Sequence, residues 1–238
     1  KYKNRIHSGN NRQDFNTKDC KKVISFFNSE KLENYKLLKN NKLYEKYLNK
    51  KKNKLGIIIL SCKKRLDNAI NKLEIFKKSN IDAICKIFVG DENLEKTYEK
   101  NDIVYLNVPD NYESLPIKVH RAMHWYIDNH DVDYIFKTDD DIKINFCKLY
   151  NLFENNISNK QLYCGNLAVF KPFMDSNHYG KCEDENMNNK KILINYYGFY
   201  VSGGGYFVST YILKKFLKNY INKFLKEQIK AEDLLMGI

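Results

Sequence analysis

The chain has 238 residues, of which 43% are hydrophobic, with a formal charge of +12 and six cysteines. That length supports one large domain with a substantial core, or two small ones, and no run approaches the roughly 18 apolar residues that a membrane-spanning helix needs. The charge invites a nucleic-acid reading, but arginine stands only at Arg5, Arg12, Arg65 and Arg121, and scattered lysines supply solubility where arginine forks would read phosphates and bases.

Along the chain, residues 1–54 read as a helical N-terminal extension. Val23, Ile24, Phe27, Leu32, Tyr35, Leu38, Leu43 and Tyr47 recur at three- to four-residue spacing, which predicts two or three amphipathic helices. Lys50-Lys51-Lys52-Asn53-Lys54 is a polar break, and the catalytic fold is expected over residues 55–238. Leu55 to Leu60 is a continuous apolar strand, Leu66 to Lys78 a helix, and Ile84 to Val89 a second strand. Ile103 to Asn107 gives a third strand, Leu115 to Asn129 a helix holding the only tryptophan, Trp125, and Asp133 to Thr138 a fourth strand. Continuous apolar runs separated by helices predict an α/β fold with a Rossmann-like, mostly parallel central sheet flanked by helices. Ser61-Cys62-Lys63-Lys64-Arg65 follows the first strand where a glycine fingerprint would stand, which argues against a dinucleotide cofactor. A mononucleotide held through a metal fits better.

The fourth strand ends in Asp139-Asp140-Asp141. Adjacent ionised carboxylates repel one another unless a cation or hydrogen bonds compensate, and Mg²⁺ or Mn²⁺ accepts one or two carboxylates with water and phosphates. The position also fits, because ligands of open α/β sheets sit beyond the carboxyl ends of strands. Taken alone, the triplet reads equally as a solvated acidic turn. Leu162 to Phe170 then suggests a strand and Lys181 to Lys190 a polar loop. Gly203, Gly204 and Gly205 stand among aromatic residues, a pattern that suits a sugar face or, read locally, a bulged edge strand with core tyrosines. Glu232 and Asp233 open the last apolar turn, where acidic residues ordinarily partner a helix dipole.

Together these blocks resemble glycosyltransferase family 31, the β-1,3-galactosyltransferase and N-acetylglucosaminyltransferase group with its Fringe-like enzymes. The resemblance covers about residues 55 to 238 and rests on YIFKTDDD, YGFYVSGGGYFVS and EDLLMG in that order. Tyr112-Glu113-Ser114-Leu115-Pro116-Ile117-Lys118 matches more loosely. It implies a GT-A-type fold, a UDP-sugar donor, a Mn²⁺ (or Mg²⁺) cofactor, and inverting transfer of a hexose or N-acetylhexosamine to a hydroxyl of a glycan or glycoprotein acceptor. By the same resemblance Asp141 is the direct metal ligand, and Asp139 and Asp140 support the nucleotide and the ion's water shell, Asp139 also serving the metal. Asp233 is the general base; apart from the resemblance, the like charge of neighbouring Glu232 and a partly closed site would raise its pKa and improve it as a base. Gly203, Gly204 and Gly205 lie beside the donor sugar, and Arg65 and Lys118 are donor-side contacts.

Family members commonly supply a later histidine that completes the metal shell, and this chain has no counterpart. His120, His124, His130 and His178 lie upstream and read as surface or packing residues. The readings left open are a metal held by Asp141, phosphates and water, a missing downstream segment, or an inactive protein. Two alternatives to an enzyme are a catalytically inactive nucleotide-sugar or carbohydrate-binding module and a basic nucleic-acid-binding domain. Cys20, Cys62, Cys85, Cys147, Cys164 and Cys182 form no CxxC pair and no zinc spacing. They favour a reducing compartment, while the start at Lys1 leaves an upstream anchor or signal open.

Overall fold

A computed structural model describes residues 53–157, 160–170, 181–185 and 198–217. The chain divides into two units, Lys1–Lys52 and Asn53–Ile238, and every described residue belongs to the second. The expected helical extension over 1–54 therefore lies outside the described residues, apart from Asn53 and Lys54.

The elements are β1 (Leu55–Leu60), α1 (Leu66–Ser79), β2 (Ala83–Gly90), β3 (Tyr98–Lys100), β4 (Ile103–Leu106), α2 (Leu115–Asn129), β5 (Tyr134–Asp139), α3 (Phe146–Asn156), β6 (Tyr163–Phe170) and β7 (Gly198–Ser209). A 3₁₀ turn, Lys63–Arg65, joins β1 to α1, and residues 210–217 are helical. The strands form one seven-stranded sheet in the order β3-β4-β2-β1-β5-β7-β6. Its centre, β4-β2-β1-β5, is parallel, while β3, β7 and β6 pair antiparallel on the flanks. The α/β architecture is therefore the one the alternating apolar runs predict.

Burial explains the run at β1. Every residue of β1 is buried, because both faces of the central sheet are covered. Leu55, Ile57 and Ile59 pack with Leu73 and Phe76 of α1 and Phe146 and Phe153 of α3. Ile58 and Leu60 point to the opposite face, with Val119, Met123 and Tyr126 of α2 and with Leu213 and Leu217. Tyr126 pins α2 to the sheet by donating its hydroxyl to Ile57 O at 2.8 Å and Ile84 O at 2.9 Å. A Cβ at Gly56 would stand 2.7 Å from that ring, so the glycine makes the approach possible.

Three features depart from the sequence reading. β3 and α3 are additional elements. Asn145 caps α3 by accepting from Lys148 N at 3.0 Å, the usual way a side-chain oxygen satisfies a first-turn amide. The glycine block is bulged, but it is no edge strand, since β7 lies between β5 and β6. The register Gly165↔Tyr206 resumes at Leu167↔Val201, so Ser202 to Gly205 face the single residue Asn166.

Candidate active site

The register brings the carboxyl ends of three strands level, with Leu60 opposite both Phe88 of β2 and Asp139 of β5. Backbone bonds carry the alignment one step further. Ser61 N donates to Phe88 O at 3.0 Å, Asp140 N to Leu60 O at 3.1 Å, and Asp91 N to Leu106 O at 2.8 Å. The acidic triplet thus leaves the sheet beside the turn that carries Ser61 and Arg65.

The chain itself supplies the compensating charge that three adjacent carboxylates require. Lys137 Nζ lies 2.8 Å from Asp139 Oδ1. Asp140 accepts from Ser61 Oγ at 2.7 Å on one oxygen and pairs with Arg65 on the other. Arg65 Nη2 also reaches Asp141 Oδ2 at 3.0 Å, and Lys72 donates to the backbone carbonyl of Asp139. Burial pushes the Lys72 ammonium below its ordinary pKa, against the pull of Asp140, Asp139 and Asp141. Burial also works against charge at Arg65, but its hydrogen bond to Asp141 and the fields of Asp140 and Asp141 hold it above the ordinary value.

The three carboxylates consequently have different uses. The Asp140 side chain is 4% exposed with both oxygens engaged, whereas that of Asp141 is 57% exposed. No group of three or more His, Cys, Asp or Glu residues is placed to hold a metal ion among the described residues. A divalent ion here would rest on Asp141 together with oxygens from a ligand and from water, a donor set that suits Mg²⁺ or Mn²⁺.

The glycine block flanks the triplet. Lys137 Nζ donates to Gly203 O at 2.7 Å, and Thr138 Oγ1 to Gly204 O at 3.0 Å. A Cβ at Gly205 would come within 3.0 Å of the Phe136 ring, so β5 and β7 close to this distance only without a side chain there. Tyr206 and Phe207 of the same block are core residues.

Lys118 is 2% exposed, and its ammonium is held by Asp110 Oδ1 at 2.6 Å and Ser61 O at 3.2 Å. Asp110 gathers Gly90 N at 2.8 Å on the same oxygen and Lys63 N at 2.6 Å on the other. Lys118 is thus joined to the loops after β1 and β2. The His120 and His124 rings meet edge-on with centroids 4.5 Å apart, and His130 lies edge-on to Trp125. Asp233, Glu232 and His178 lie outside the described residues.

Sequence reasoning did not single out Ser61, Lys72, Asp110 or Lys137. A signal existed only for Lys137, a charge inside an otherwise apolar strand. The others are identified by partners 47 to 79 positions away.

The family model described as Galactosyltransferase matches residues 82–238. The chain belongs to the galactosyltransferase family. The matched segment holds both the triplet and the glycine block, while β1, Ser61 and Arg65 precede it. Two curated relatives are UDP-GalNAc:beta-1,3-N-acetylgalactosaminyltransferase 2 of Mus musculus and of Homo sapiens. The first is 26% identical over 60% of this chain and 27% of its own length. The second is 26% identical over 72% of this chain and 33% of its own length. The chain therefore spans a third or less of these relatives. Among solved structures, the galactosyltransferase LgtC in complex with donor and acceptor sugar analogues matches at a TM-score of 0.39 and 9% identity, over 76% of this chain and 69% of that one.

Proposed function

We propose that this galactosyltransferase-family chain is the catalytic part of an inverting, metal-dependent hexosyltransferase. It moves a hexose or N-acetylhexosamine from a UDP-sugar to a hydroxyl of a glycan or glycosylated acceptor. The observation that carries the reading is the exposed Asp141 carboxylate at the carboxyl edge of the sheet, with a glycine bulge fixed beside it.

Asp141, with Asp139 beside it, would hold the Mn²⁺ or Mg²⁺ ion. When bound, that ion supplies Lewis-acid neutralisation of the charge on the departing diphosphate. The chain's own residues do the rest. Ser61 and Arg65 fix the Asp140 carboxylate, which keeps the triplet's geometry set before a donor arrives. Arg65, 43% exposed, is free to turn its remaining donors toward phosphate oxygens. Gly204, which is half-buried, offers a stretch of backbone without a side chain beside which a sugar ring can lie close. Asp233 is assigned the proton of the acceptor hydroxyl, so that the oxygen attacks the anomeric carbon from the face opposite the leaving group.

Incubation with Mn²⁺ and a panel of UDP-sugars, followed by measurement of released UDP, tests the proposal. Metal-dependent release with at least one donor is expected, and no release or binding with any of them would sink it. A second reading, an inactive nucleotide-sugar-binding module, draws on one observation: Arg65, Lys72 and Lys137 already offset the triplet. Under that reading UDP binds and no sugar is transferred.

A further inference from the structure

We infer that Asp110 is a positioning residue that, with Lys118 as its counter-ion, sets the turn carrying Ser61 and Arg65, so that Lys118 serves the donor through that turn and not by touching it. The inference deepens the glycosyltransferase reading and rests on it for its kinetic consequence.

The turn takes its acceptor from outside. Its residues are Lys63, Lys64 and Arg65, all cations, and the preceding Cys62 makes no side-chain cap bond. A first-turn amide without a local cap has to find its acceptor elsewhere. Lys63 N finds it in Asp110 Oδ2 at 2.6 Å, 47 positions along the chain. A carboxylate in this place makes a charge-assisted bond, stronger than one from a neutral acceptor.

Asp110 is itself held. Its other oxygen accepts from Gly90 N at 2.8 Å and from Lys118 Nζ at 2.6 Å. The loop around it is pressed onto the end of β2, where a Cβ at Gly90 would stand 2.7 Å from Pro109 O, 2.8 Å from Val108 O and 2.9 Å from Asp110 Cα. Glycine at position 90 is what lets the loop come close enough for its carboxylate to reach the turn. Lys118 completes the frame. Its side chain is 3% exposed, against 18% for Asp110, and its ammonium also reaches Ser61 O at 3.2 Å. A buried ammonium is stable when it is paired in this way, which leaves phosphate to exposed cations such as Arg65.

The turn passes this frame on to the acidic triplet. Ser61, whose carbonyl Lys118 holds, gives its hydroxyl to Asp140 Oδ2 at 2.7 Å. Arg65, two residues past the capped amide, spans Asp140 and Asp141. Asp110 and Lys118 therefore act on the triplet through Ser61 and Arg65, and a shift of the turn moves both at once.

Asp110→Asn and Lys118→Met are compared with the wild type, alone and combined with Arg65→Ala. An asparagine turns one accepting oxygen into a donor, so it cannot satisfy Lys63 N and Gly90 N together. One readout is the Arg65 guanidinium Nε–H signal in heteronuclear NMR, which needs no substrate. The other is kcat/KM with Mn²⁺ and the UDP-sugar that supports release. In each single variant the Arg65 signal moves toward that of a solvated guanidinium while melting stays cooperative, and kcat/KM falls on the order of 10²-fold, as for a small misplacement. With Arg65→Ala already present, the same substitution loses far less, because a group it positions is gone. Losses that multiply to within about twofold, as those of independent sites do, overturn the inference, and for Lys118→Met they would return Lys118 to direct contact with the donor. An unmoved Arg65 signal in Asp110→Asn overturns it as well. Should Asp110→Asn not fold, Lys118→Met decides by the same two readouts. If the wild type itself releases no UDP, the functional reading fails, and the Arg65 signal still decides whether Asp110 and Lys118 set the turn.

Discussion

Asp141 and Asp140 are neighbours with opposite environments, one facing solvent and the other enclosed by Ser61 and Arg65. Asp141→Ala is therefore expected to abolish Mn²⁺-dependent UDP binding in calorimetry, while stability stays within about 0.5 kcal/mol, as for other exposed substitutions. Asp233→Asn should bind UDP as the wild type does and lose about 10²- to 10⁴-fold in transfer, the range of general-base catalysis. Equal turnover in that variant would remove Asp233 from the base role. At this scale the sequence revealed the carboxylates, because three in a row after an apolar run is a local pattern. Their pairing was less visible: Lys72 looks like an ordinary surface cation, and Arg65, expected on the donor side, gives no local sign that it pairs with Asp140 until the fold brings both to the end of β5.

The helix α2 is fastened to the sheet at Tyr126 and to residues 210–217 at His120. Tyr126→Phe takes that donor from the buried carbonyl of Ile57 and from the half-buried carbonyl of Ile84. It should cost about 1–3 kcal/mol in urea denaturation, the usual penalty for unsatisfied buried groups. His120 Nε2 donates to Leu217 O at 3.3 Å, and burial first, then His124, lowers its pKa to about 4 from 6.5. The unfolded chain takes up a proton below pH 6.5 that the folded chain refuses until about pH 4. Stability must then fall as pH drops through that window, by up to about 3 kcal/mol. His120→Gln should flatten the slope between melts at neutral and acidic pH, and an unchanged slope would assign it elsewhere. Element boundaries followed from the sequence wherever apolar periodicity was strong, as in β1 and α2. β3 escaped because its three residues are all exposed and only pairing with β4 defines them. The glycine block suggested an edge strand because nothing local announces β6 as the strand outside it.

Across the whole molecule the charge of +12 is dispersed, with lysines such as Lys63, Lys77 and Lys86 paired to Asp91 and Asp102. Association with duplex DNA should be weak, should vanish with added salt as counterion release requires, and should leave UDP affinity untouched. Competition between the two in a fluorescence titration would reopen the nucleic-acid reading. No helix among the described residues is long and apolar enough to cross a membrane. The provision of counter-charges from within the chain has a further consequence for assembly. Small metal-dependent domains fold only as their ion arrives. Here the carboxylates are neutralised by lysines and an arginine that the same folding step delivers, so the site matures without waiting for any solute. Exhaustive treatment with EDTA should therefore leave Tm and core amide protection unchanged.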